Sequence, residues 1–125
     1  MFKIILFVGS GSFLGGVARF LTSRYIQNTL ISAFPYGTFL VNMIGCLLIG
    51  IFFGIFEKGN LINTEWKMFL TVGFCGGFTT FSAFANESLV MLKDGNFFYL
   101  ALYSGFSVFL GILATYLGNM ITKLI

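Results

Sequence analysis

The residues best able to do chemistry in this sequence are few, and they sit inside long apolar runs. One segment, GFCGGFTTFSAFANE (Gly73 to Glu87), gathers three glycines, two adjacent threonines, Phe81, Phe84 and a carboxylate. Gly76-Gly77 followed by Thr79-Thr80 can interrupt a helix. An interruption frees carbonyl oxygens, which suit a hard cation such as Na⁺, and amide N–H groups, which suit an anion. A compact cation site needs about four carbonyls. One chain offers two, from Gly76 and Thr79, so a symmetric dimer would complete such a site. Phe81 and Phe84 follow at a helical spacing of three. A pair of this kind is ordinarily packing, above all in a chain with 18 Phe. An aromatic ring nonetheless has a positive edge. Edge-on rings beside an Asn amide can replace water around a small anion, and weak, multiple contacts let the ion leave.

Three further polar groups fall in apolar surroundings. Asn42 has Thr38 one turn before it and Gly45 and Cys46 one turn after. Its amide has two N–H donors and an acceptor oxygen, and taken alone it reads first as an interhelical hydrogen bond. Arg19 either snorkels to an interface or holds a positive potential that draws in anions. Glu87 lies nineteen uncharged residues beyond Lys67, near the far interface or paired with a polar group inside.

The elements that must carry these groups are membrane helices. The chain is 58% hydrophobic and 9% charged, against roughly 25% charged in an average soluble domain. So few charges cannot cover a soluble fold of 125 residues. Histidine is absent and the acids Glu57, Glu65, Glu87 and Asp94 are scattered, which disfavours general acid–base enzymology. No GxxxxGK[ST] loop occurs, which argues against a nucleotide-driven pump. A net charge of +3, dispersed as it is, does not suggest nucleic acid. Cys46 and Cys75 can be buried thiols, a disulfide or metal ligands. Buried thiols are favoured, because no His or second thiol stands at ligand spacing.

Each span needs about 20 residues, and four fit: approximately residues 2–27, 36–57, 67–92 and 96–123. The connections fall near Asn28 to Tyr36, Glu57 to Trp66 and Lys93 to Asn96. The start, Met1-Phe2-Lys3 before IILFVGSG, resembles a signal peptide, but a first helix beginning there is the simpler reading. Lys3, Lys58, Lys67 and Lys123 fall on one side, with Arg19, Arg24 and Lys93 on the other. That near balance gives either a weak preference for both termini inside or insertion in both orientations. The second case permits an antiparallel homodimer. Gly11 with Gly15, and Gly50 with Gly54, allow close helix approach. Ser104, Ser107, Gly111, Thr115 and Gly118 form one small, weakly polar stripe, as readily a packing seam as a solute-lining face.

Taken together, GTFLVNMIG (Gly37 to Gly45), GFCGGFTTFSAFANE and GGVARF (Gly15 to Phe20) resemble the Fluc, or CrcB-type, family of fluoride channels over nearly the whole chain. The resemblance implies an all-α membrane protein of four transmembrane helices, the third broken at mid-membrane, paired as an antiparallel dual-topology homodimer with two fluoride pores. It implies a structural Na⁺ at the dimer interface, held by backbone carbonyls of Gly76 and Thr79 from both subunits. Asn42, Phe81 and Phe84 match the pore residues. Ser82 and Thr115 match a polar track, and Tyr103 is a further pore-lining candidate. Arg19 matches a vestibule arginine and Glu87 a pore-adjacent glutamate. Ala83 departs from the family, where a hydroxyl residue is common. The expected activity is passive fluoride export across a prokaryotic inner membrane, with fluoride, lipid and a second copy as partners and no nucleotide or nucleic acid. A small dual-topology proton-coupled transporter would use a membrane carboxylate, for which Glu87 is the candidate. A non-transporting scaffold subunit would leave Asn42 and Thr79-Thr80 without a role.

Overall fold

A computed structural model describes residues 1–59 and 62–124. Asn60 and Leu61, in the expected connection from Glu57 to Trp66, lie outside the described residues, as does Ile125. Every regular element among the described residues is a helix, and four stretches are long and apolar enough to cross a membrane. The protein is a multi-pass membrane protein.

The first stretch, α1 (Phe2–Thr29), runs two residues past its expected end. The Leu30 N–H closes the last turn on the Ile26 carbonyl at 2.8 Å, and the Thr29 hydroxyl donates to the Tyr25 carbonyl at 2.9 Å. Pro35 then starts α2 (Tyr36–Phe56), its carbonyl accepting from the Phe39 N–H. Proline suits a helix start because it has no N–H to satisfy.

The third stretch is composite. A short α3 (Thr64–Met68) starts earlier than expected because the Asn63 side chain caps it, accepting from the Trp66 N–H at 3.0 Å. The helix then widens into a π-helical stretch, Phe69–Cys75, and returns to α geometry in α4 (Gly76–Phe78). Thr79 and Thr80 are extended, with φ, ψ of −89°, 159° and −151°, 120°. The α5 helix (Phe81–Lys93) follows, capped by the Thr80 hydroxyl, which accepts from the Ala83 N–H at 3.1 Å. Gly95, at φ 73°, turns the chain into α6 (Phe97–Lys123). A left-handed glycine is the usual helix stop, having no Cβ to clash.

Packing divides the spans into two pairs: α1 lies on the π-helical stretch and α4, and α2 lies on α6. Lipid gives no hydrophobic force between helices, so close backbone approach must supply the attraction. A Cβ on Gly11 would sit 2.5 Å from the Phe69 carbonyl oxygen, and one on Gly15 would meet that of Phe74. In the other pair, Gly118 abuts the Leu47 carbonyl and Gly50 that of Thr115. The small stripe on the fourth span is therefore a packing seam at Thr115 and Gly118. Both cysteines are free thiols, Cys75 buried and Cys46 half-buried.

Candidate functional site

The site is built around the two extended residues. Their geometry takes carbonyls out of the helical ladder, and an unpaired backbone group away from water costs several kcal/mol. Each freed group can be followed. The Thr80 N–H, which an unbroken helix would give to the Gly76 carbonyl, donates instead to Asn42 Oδ1 at 2.8 Å. Asn42 Nδ2 donates back to the Thr80 carbonyl at 3.1 Å. One amide thus pairs with both backbone groups of Thr80. Arg19 Nε donates to the Gly77 carbonyl at 3.1 Å, so the charge on α1 faces the interruption. Thr79 donates its N–H and its hydroxyl to the Cys75 carbonyl, at 3.0 and 2.9 Å.

Among the carbonyls that lose their helical donors and gain none of these replacements are those of Gly76 and Thr79. Gly76 loses the Thr80 N–H to Asn42. Thr79 loses the Ala83 N–H to the Thr80 hydroxyl. Both residues line a cleft of about 400 Å³, together with Asn42, Phe81, Phe84 and Thr71. Neutral carbonyl oxygens are hard donors, the type that suits a small monovalent cation. Among the described residues no group of three or more His, Cys, Asp or Glu could hold a metal instead.

Asn42 keeps one N–H free after serving Thr80, and it lines the same cleft as the two phenylalanines. The Phe81 and Phe84 ring centroids are 5.5 Å apart. They differ in support: Phe81 is 78% exposed within one chain, whereas Phe84 packs on Tyr103 with centroids 4.9 Å apart. Ser82 is exposed, its hydroxyl 3.2 Å from that of Thr80.

Glu87 belongs to a second cluster. The Tyr103 hydroxyl donates to one carboxylate oxygen at 2.9 Å and the Thr38 hydroxyl to the other at 2.8 Å. Tyr103 is fully buried and Thr38 nearly so. The carboxylate therefore joins α2, α5 and α6, and Tyr103 links it to the Phe84 ring. Thr115 stands apart from both clusters, donating to the Gly111 carbonyl on its own helix at 3.1 Å. Ala83 contributes its N–H to the α5 cap and is not among the cleft-lining residues.

Sequence reasoning gave no role to Thr38 or Thr71, and placed Ser107 only in the small stripe of the fourth span. Thr38 was visible only as a polar neighbour one turn from Asn42. Thr71 back-bonds to the Lys67 carbonyl at 2.8 Å and lines the cleft, a placement set by the unforeseen π-helical stretch. The Ser107 hydroxyl lies buried beside the cleft without a hydrogen-bond partner among the described residues.

Comparison with known proteins gives the arrangement its relatives. The family described as "CrcB-like protein, Camphor Resistance (CrcB)" matches residues 6–119. A protein of Flavobacterium psychrophilum named fluoride-specific ion channel FluC is 46% identical over 121 residues, covering 97% of this chain and 98% of its own length. A Bacteroides fragilis protein of the same name is 48% identical, covering 93% of this chain and 91% of its own length. One from Chlorobium phaeobacteroides is 41% identical, covering 98% and 95%. With matches of this extent, the chain belongs to the CrcB-like family.

Proposed function

We propose that this protein is a fluoride-selective channel that lets fluoride leave the cytoplasm passively. The observation that carries the reading is the cleft at the helix interruption. It brings together the spare N–H of Asn42, the rings of Phe81 and Phe84 and the two released carbonyls. The close relatives named fluoride-specific ion channels support the choice of ion. A dehydrated fluoride would exchange water for the Asn42 N–H and the positive ring edges, contacts weak enough to allow exit.

The proposed assembly is an antiparallel dual-topology homodimer with two pores in a prokaryotic inner membrane, and the interruption of the third helix lies at mid-membrane. Three features support it. The exposed ring of Phe81 has no cover within one chain. The balanced distribution of Lys and Arg favours neither orientation. The Gly76 and Thr79 carbonyls supply half a cation shell, which a second copy would complete with Na⁺. Bound there, Na⁺ would neutralise carbonyl dipoles that otherwise lie unpaired in the membrane. Arg19 would hold positive potential beside the pore, Ser82 would lie on its polar side, and Tyr103 would support it from behind through Phe84 and Glu87. A proton-coupled exporter is less well supported, because both oxygens of Glu87 are already held by hydroxyl donors.

The test is flux from liposomes containing the purified protein, loaded with fluoride or chloride, with a K⁺ ionophore present. The expected result is rapid fluoride efflux that exceeds chloride efflux and is indifferent to a pH gradient. Efflux that requires a proton gradient would establish the exporter, and no efflux of either ion would defeat both readings.

A further inference from the structure

Away from the cleft, the end of α1 carries a polar contact that the pore residues do not explain. Gln27 makes two hydrogen bonds to the α1–α2 connection and one to the first turn of α2. Its Nε2 donates to the Ser32 carbonyl at 3.2 Å and the Phe34 carbonyl at 3.4 Å, and its Oε1 accepts from the Gly37 N–H at 3.0 Å. The two ends of this amide thus fix the residues on either side of Pro35. Each leads directly to the carboxylate cluster. The Phe34 ring packs edge-on against Tyr103, centroids 5.4 Å apart. Gly37 precedes Thr38, which donates to Glu87. Gln27 and Glu87 also share the wall of a second cavity of about 230 Å³, with Ala33, Pro35, Val90 and Met91.

We propose that Gln27 is a positioning residue for conduction: its amide holds Phe34 and Thr38 against Tyr103 and Glu87, and so sets where the Phe84 ring stands. This inference rests on the fluoride-channel reading. The mechanical argument is specific to an amide. The site requires a donor toward Phe34 and an acceptor toward Gly37 from one planar group. A protonated carboxyl has the same shape and supplies both. An ionised carboxylate keeps only the acceptor and turns an oxygen toward the Phe34 and Ser32 carbonyls.

The experiment compares wild-type protein, Gln27→Leu and Gln27→Glu in the liposome fluoride assay between about pH 8 and pH 4, a range that spans the ordinary glutamate pKa of about 4.3, after subtracting efflux from protein-free liposomes. Gln27→Leu is expected to lower the flux about 30- to 150-fold at every pH, the scale of losing two or three neutral hydrogen bonds. Gln27→Glu is expected to be slow at pH 8 and to recover toward wild type as the pH falls and the introduced carboxyl gains its proton. The groups around that carboxyl are Arg24 on α1, Tyr36 on α2, Glu87 on α5 and Tyr103 on α6. Each flux is taken as a ratio to wild type at the same pH, which removes any effect of pH that the proteins share. A ratio for Gln27→Glu that stays flat with pH overturns the proposal, as does wild-type flux from Gln27→Leu. Should Gln27→Leu fail to give a monodisperse protein, the pH profile of Gln27→Glu decides alone. Absence of fluoride efflux from the wild type would instead defeat the channel reading, a result distinct from either.

Discussion

Replacing Asn42 with alanine removes the one side chain that pairs with both the N–H and the carbonyl of Thr80. The Thr80 N–H cannot return to its helical acceptor, Gly76, because Thr79 and Thr80 are extended, whereas the Thr80 carbonyl still faces the first turn of α5. A polar group left unpaired costs about 1–3 kcal/mol, and the substitution is expected to destabilise the fold by about that much. Thr79→Val makes the control. It removes the bond from the Thr79 hydroxyl to the Cys75 carbonyl, but that carbonyl still accepts the Thr79 N–H at 3.0 Å. The loss there should be about 1 kcal/mol or less. Unfolding can be followed in mixed detergent micelles by fluorescence of Trp66, the only tryptophan. It packs against Phe7 and Phe69 with centroids 5.3 and 5.2 Å away, so separation of α1 from the third stretch changes its surroundings. Asn42→Asp refines the test. It places a negative charge in the cleft and should stop fluoride flux. The reasoning fails if Asn42→Ala unfolds with Thr79→Val, or if Asn42→Asp conducts like wild type.

Further outcomes follow from the same geometry. Phe81→Ile and Phe84→Ile should each reduce fluoride flux while leaving the dimer intact by light scattering. Phe84→Ile should also lose about 0.5–1.5 kcal/mol of stability from its ring contact with Tyr103, and full flux in both variants would refute the aromatic role. Tyr103→Phe leaves one Glu87 oxygen without its hydroxyl donor. A loss of about 1–3 kcal/mol is expected in the same unfolding assay, and an unchanged midpoint would mean that the bond is not made. A C-terminal reporter should give signal from both sides of the membrane, and signal from one side alone would rule out dual orientation.

The apolar runs were legible because lipid imposes a length of about 20 residues on every span. Gly76 and Thr79 were legible as sources of free carbonyls because glycine and threonine weaken a helix locally. Their accounting was not. The partner of Thr80 is Asn42, 38 residues earlier, and no local pattern links the two. Glu87 was open between an interface and an internal pairing for the same reason. Its donors, Thr38 and Tyr103, come from other helices, 49 and 16 residues away. The π-helical stretch had no visible signal either. Phe69–Cys75 has ordinary membrane composition, and its backbone lies against Gly11 and Gly15 on a distant part of the chain. The small stripe of the fourth span was ambiguous until α2 was seen against it.

The pairing of α1 with the third stretch, and of α2 with α6, also has a consequence during synthesis. Neither of the first two helices has its main partner available when it leaves the ribosome. Arg19 meets the Gly77 carbonyl only after 58 further residues have been made. At about 5–20 residues per second, that is a delay of roughly 3–12 s. For that interval a charged side chain waits in the translocon or at the lipid headgroups, while two glycine-faced helices stand side by side without their seams. Assembly of this fold is therefore a late event, led by the last helices to arrive, and a nascent chain stopped after α2 should remain easy prey for membrane proteases.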